Sequence, residues 1–171
     1  MREELRCYTW TDFMLSSIQQ GIQSGHASME LVSKYMLVTG WQNGMAEYVG
    51  EWAQEHKTII CYNGGAYADV CETLRFFDVD ENPYPFAGFT EEDVQGGNLT
   101  SVAVILPARI FNTAPMLRRA KYVDDISVTW DHLLEELRVG WVDEDGKQQT
   151  ATFNAWEREL MRKLNESRFA S

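Results

Sequence analysis

Residues 99–107 read LTSVAVILP, and this run constrains the fold more than any other stretch of the chain. It is apolar almost throughout, starts on Leu99 and stops at Pro107. That is far short of the roughly 18 apolar residues a membrane helix needs, and it predicts a buried strand. KTIICYN (57–63) is also continuously apolar rather than alternating, as a strand covered on both faces would be. LRCYTW (5–10) alternates and is rich in β-formers, predicting a third strand.

The segments between these strands are periodic. Ser16 or Ser17 can cap a helix in which Ile18, Ile22, Met29, Val32 and Met36 recur at three- and four-residue steps, predicting an apolar face up to about Val38. TGWQNG (39–44) is a break, MAEYVGEWAQEH (45–56) a second helix, and the glycine pair Gly64–Gly65 opens a third over GGAYADVCETLRFF. ENPYPFAGF (81–89), with two prolines, is an extended edge or loop, and TEEDVQGGN (90–98) a polar loop. Strand, helix, helix, strand, helix, extended segment, strand is an α/β alternation with crossover connections. Beyond residue 110, SVTWDHLLEELRV (127–139) and FNAWERELMRKLNES (153–167) predict two amphipathic helices separated by a turn at Asp145-Gly146. Residues 1–110 are thus expected to form one α/β domain, and 111–171 a helical extension packed on it.

Charge narrows the function. The chain carries −11 overall; residues 1–110 hold six Lys/Arg against fifteen Asp/Glu, a net −9. Gripping a polyanion needs a basic face, so nucleic acid is not an expected partner. No segment reads as a membrane span or a secretory signal. Three cysteines without a CxxC, and three histidines, give neither a full disulfide set nor a structural zinc site. A cytoplasmic setting is expected, with no metal and no cofactor.

Gln19, Gln23 and His26 stand at i, i+4 and i+7, on one face near a helix start, where free backbone amides are available to a ligand. The competing reading is that Gln23 and His26 hydrogen-bond to the neighbouring loop and strand. TDFMLSS-IQQGIQ-SGHA, following CYTW, resembles the opening of the type 2 peptidyl-tRNA hydrolases: a strand, D-L-x-M-S, then G-K-x-x-x-Q-x-x-H-A. Asp12, Ser16, Gln23 and His26-Ala27 fall on the matching positions. EWAQEHKTIICYN, YADVCETLRFF and FAGFT…GNLTSVAVILP are similar to the later helix, strand and D-A-G-x-T elements, so the resemblance covers roughly residues 5–110. It implies a three-layer fold, with a central four-stranded mixed sheet and helices on both faces. It also implies a cleft lined by Gln19, Gln23, His26, Phe86, Thr90, Asn98 and Thr100.

The departures matter. The family's lysine lands on Gln19 and the aspartate of D-A-G-x-T on Phe86, so both members of its charged pair are neutral here. The expectation is therefore a non-catalytic protein binding a small, nucleotide-derived ligand in the former cleft. Two alternatives stand beside it. One is a protein-interaction or inhibitor module, of a kind that would suit a phage, using the acidic face and the C-terminal helices; either form could be a homodimer. The other is a divergent hydrolase using His26, Thr90 and Asn98.

Overall fold

The computed structural model describes residues 3–38, 44–92 and 97–170. Most of the break expected at 39–44, and the middle of the loop expected at 90–98, lie outside them. The chain divides into two compact units, Met1–Pro107 with Ser167–Ser171, and Ala108–Glu166.

The first unit is built on a five-stranded mixed sheet in the order β3-β4-β1-β2-β8. β1 (Leu5–Thr11) runs parallel to β2 (Ile59–Asn63), with Cys7 opposite Ile59, and antiparallel to β4 (Asn98–Pro107), with Thr9 opposite Ala103. β3 (Phe86–Glu91) follows the two prolines and forms one edge of the sheet. β8 (Arg168–Phe169) forms the other edge, pairing with Tyr62 and Asn63. The parallel pair is joined by a crossover of α1 (Ser17–Val32), continued by a π-helical stretch to Val38, and α2 (Gly44–Glu51), continued likewise to His56. α3 (Tyr67–Phe77) follows β2.

Alternation along β1 sends Leu5 and Cys7 into a core with Ala27, Leu31, Val49, Trp52, Ala103 and Ile105, on the side of α1 and α2. Tyr8 and Trp10 point the other way, where Trp10 meets Phe77 of α3 at 5.5 Å and Tyr62 at 5.6 Å. The Trp10 indole donates to Ser167 Oγ at 2.8 Å, which ties the end of the chain to this sheet. β2 is less buried than its apolar run suggests: Ile59 is exposed, and Ile60 and Cys61 are half-covered. The short β8 reaches only Tyr62 and Asn63, leaving the start of β2 open.

The second unit corrects the helical reading of residues 127–139. That segment is a hairpin of β5 (Ile126–Asp131) and β6 (Glu136–Val142), extended by β7 (Gln148–Asn154) into an antiparallel sheet. Its leucines have helical spacing, but Leu133 and Leu134 are 94% and 59% exposed at the turn, while Leu137 and Val139 point inward at strand spacing. The Asp131 carboxylate accepts the Leu133 and Leu134 N–H groups, ending the strand as an Asx turn, and the Val-Thr-Trp run before it favours extended backbone. α4 (Ala108–Arg119) precedes the sheet and α5 (Ala155–Glu166) follows it. The second predicted helix is therefore present. Asn154 and Glu157 cap α5 reciprocally, and the buried Glu157 carboxylate also pairs with Arg109.

Phe77 is fully buried between Trp10 and Phe86. Phe77→Ala is expected to lower unfolding free energy by about 3–5 kcal/mol, through lost transfer energy plus a cavity, as read by urea denaturation.

Candidate functional site

In open α/β sheets a crevice forms beyond the carboxyl ends of parallel strands whose following helices lie on opposite faces. Here β1 leads to α1 on one face and β2 to α3 on the other. The ends of β3 and the start of β4 reach the same edge. Gln19, Gln23, Thr90, Asn98 and Thr100 all lie at that end of the sheet.

The glycine pair closes the floor. Gly64 N–H donates to Thr11 O at 2.7 Å, and Phe13 N–H to Gly65 O at 2.9 Å. A Cβ on Gly64 would sit 2.8 Å from the Thr11 backbone nitrogen, so no larger residue fits. Gly65 adopts φ +81°, a left-handed conformation that glycine takes without strain. The pair is thus a tight turn stitched to β1.

Above it, α1 lies on a seam of hydroxyls. Thr9 Oγ1 donates to Ser24 Oγ at 2.9 Å, and Thr11 Oγ1 lies 3.1 Å from both Ser24 Oγ and Ser101 Oγ. Ser28 Oγ donates to the Ser24 carbonyl and stands 3.5 Å from Cys7 Sγ. Gln23, also buried, bridges α1 to β3 and β4: its Nε2 donates to Glu91 Oε2 at 2.9 Å, and its Oε1 accepts from Thr100 Oγ1 at 2.9 Å. Gln20 Nε2 donates to the Leu15 carbonyl at 2.8 Å, while its buried Oε1 has no protein partner.

This seam turns the first part of the expected apolar face outward, while Val32 and Met36 of the same face pack against the core. The face bearing Ile18, Ile22 and Met29 points to solvent, with exposures of 78%, 49% and 64%. The buried face carries Gln20, Gln23, Ser24, Ala27, Ser28 and Leu31. The apolar face thus points outward only as far as Met29, where the sheet beneath presents hydroxyls.

The remaining candidates separate. Gln19 is exposed at the third helical position, where its Oε1 accepts from the Ser16 N–H at 3.0 Å and Ser16 Oγ at 2.9 Å in a capping box. His26 is exposed, its ring edge-on to Phe89 at 4.6 Å. Thr90 is exposed at a bulge in β3, and Asn98 stands opposite Glu91. Phe86 lies apart, at the other end of β3 opposite Val104. Its ring is stacked on Phe77 at 6.3 Å, and Lys34 Nζ stands 4.2 Å from its centroid while donating to its carbonyl at 3.1 Å. There it lines an open groove of about 430 Å³ with Glu30, Ser33, Lys34, Leu74 and Asp78.

The sequence reading missed Glu91 and Lys34. Glu91 falls in the expected polar loop, though it directly follows the threonine of the FAGFT segment. Lys34 is the only cation between Arg6 and Lys57, which was a usable signal in so acidic a chain. Among the described residues no three His, Cys, Asp or Glu side chains converge as a metal site, and no helix is long and apolar enough to cross a membrane. No protein-family model and no curated protein matches the chain.

Gln23→Leu should lower stability by about 1–3 kcal/mol, because Thr100 and Glu91 keep their polar groups and lose their partner. His26→Ala, at an exposed ring contact, should cost less in the same denaturant series.

Burial pushes the Cys7 thiol up from 9.0 to about 12, and burial together with neighbouring Tyr62 pushes the Tyr8 hydroxyl from 10.0 to about 12. Both folded values exceed the unfolded ones, so the unfolded chain releases protons first. The stability these groups contribute is complete below about pH 9. It should be lost progressively as pH rises toward 12. Melting temperatures across that range check it; a flat profile would contradict this burial.

Proposed function

We propose that the chain is a non-catalytic binding protein on a fold similar to that of the type 2 peptidyl-tRNA hydrolases. The order of elements supports the resemblance: four longer strands, β3-β4-β1-β2, with helices against both faces in a three-layer arrangement. One observation carries the non-catalytic reading. Gln19 and Phe86, the two positions the resemblance pairs for chemistry, lie near opposite ends of α1. Phe86 is beside Lys34, fifteen residues beyond Gln19, or roughly 20 Å along a helix. Neither side chain titrates, Gln19 is engaged in its cap, and Gln23 braces β3 and β4. Gln19 and Phe86 themselves thus supply no acid–base pair to act on one bond.

The ligand site under this reading is the groove beside Phe86, whose volume suits a small molecule. A planar ligand would stack on Phe86 in place of the Lys34 ammonium that now sits over its ring, and Ser33 and Lys34 offer hydrogen bonds. The carboxylates of Glu30 and Asp78 disfavour phosphates. A planar neutral base, as in a nucleoside, fits better than a nucleotide. A second reading, as a protein-interaction module, is favoured by the apolar face of α1 rather than by the C-terminal segment.

Peptidyl-tRNA incubated with the protein at low salt should release peptide no faster than the uncatalysed control. In calorimetry, adenosine should bind wild-type protein and bind Phe86→Ala at least tenfold more weakly, a loss of about 1.4 kcal/mol or more. Enzyme-like turnover would defeat the non-catalytic reading. Equal affinity of the two proteins, or no binding by either, would remove the groove as the nucleoside site.

A further inference from the structure

We infer that a groove between α4 and α5 binds a compact phosphate-bearing anion, a diphosphate or an ester of one. The groove lies wholly within Ala108–Glu166 and has a volume of about 340 Å³. Leu117, Arg118 and Lys121 line it from the α4 side, and Arg158, Arg162 and Asn165 from α5. Asn165 Nδ2 donates to the Ala114 carbonyl at 2.6 Å, which fixes the two helices against each other. Arg158 and Arg162 are four residues apart, so they stand on successive turns of one helix face. Helices in contact pack with axes about 8–10 Å apart, so the four cations share a space of roughly one Debye length at 0.1 M salt. A concave site lined by one sign of charge focuses its field and concentrates counter-ions of the other.

Charge selects the ligand. Residues 1–110 hold only six Lys/Arg, yet this one groove gathers four. Two carboxylates also line it, and both are engaged by Arg162: Glu159 accepts from its Nε at 2.8 Å, and Glu166 from its Nη1 at 2.7 Å. That clamp holds the Arg162 guanidinium in place. Arg158 is held too, its guanidinium lying 4.9 Å from the centroid of the Trp130 ring. Among the described residues no carboxylate pairs with Arg118 or Lys121, in a chain that has 26 acidic residues to offer. Two unpaired cations therefore face two that are already positioned. A single carboxylate would leave most of that charge unanswered, whereas a diphosphate presents several acceptor oxygens to forked guanidinium donors. An extended polyanion fits worse. Asp124 and Asp125 follow Lys121, and Glu159 and Glu166 flank Arg162, so acidic groups interrupt any longer track. The site shares no residue with the groove beside Phe86, so it stands or falls independently of the nucleoside reading.

Calorimetry on the full chain, with inorganic pyrophosphate as the probe, tests it. Wild type should bind at ~50 mM NaCl and more weakly at ~500 mM, because salt screens the attraction. Arg118→Ala with Lys121→Ala should bind at least tenfold more weakly and keep its melting temperature, since both side chains are exposed and unpaired. Arg119→Ala removes an exposed charge of the same kind from the same helix end, outside the groove lining, and should bind within twofold of wild type. Uridine diphosphate in place of pyrophosphate separates the two sources of the group: tighter binding assigns an ester, equal or weaker binding the free anion. Four results would overturn the inference. These are no binding of either probe, no loss in the double variant, a loss as large in Arg119→Ala as in the double variant, or tighter binding of a hexa-aspartate peptide or an oligothymidylate than of pyrophosphate.

Discussion

The orientation of α1 rests on the hydrogen bonds that Ser24 and Gln23 make to the sheet. Ser24 Oγ is shared by Thr9 and Thr11 of β1, and Gln23 joins Thr100 of β4 to Glu91 of β3. Apolar contact alone is non-directional, and a helix resting on hydrocarbon can rotate or slide by a residue at little cost. Buried hydroxyls and amides cannot, because each misplaced group would lose its partner in a site closed to water. Farther along, the interface becomes conventional, with Ala27 and Leu31 against Ala103 and Ile105. The polar half fixes where the helix sits, and the apolar half supplies most of the burial.

Much of this was readable from the chain. The three core strands, the capping serine, the third helix and the proline-marked edge have local signals that the fold does not override. α1 shows the limit of periodicity: spacing reveals that a helix has an apolar face, but not what the opposing sheet offers. The hydroxyls of Thr9, Thr11, Thr100 and Ser101 come from strands that meet only once the sheet forms. The hairpin at 126–142 shows another limit. Leu133, Leu134 and Leu137 match a helical period, yet two of them sit on an Asx turn and only the third joins the core. β8 has no local signal, since two residues become a strand only by pairing with Tyr62 and Asn63.

The candidate site was partly legible for similar reasons. Gln23 and Thr100, chosen through the resemblance, do meet. Glu91 could not be found by spacing, because a register shift between Phe89 and Thr90 decides its place. Past that bulge, Thr90 is exposed and Glu91 pairs with Asn98 within reach of Gln23. Phe86, before the bulge, belongs to a different neighbourhood, with Tyr35 and Lys34 meeting its backbone.

Magnitudes explain why α1 does not turn its aliphatic face inward. Full burial of Ile18, Ile22 and Met29 would gain at most about 1.5–3 kcal/mol each, less for Ile22, which is already half-covered. The rotation would take Ser24 away from Thr9 and Thr11, and Gln23 away from Thr100 and Glu91, at about 0.5–1.5 kcal/mol for each bond lost. It would also expose Leu31 and Ala27, both fully buried now. The losses match or exceed the gain, so the observed orientation holds with apolar surface left in water. A folded monomer keeps such surface only because hydrogen bonds beneath it forbid the alternative. The same constraint leaves that surface available to a surface that can cover it without disturbing the seam.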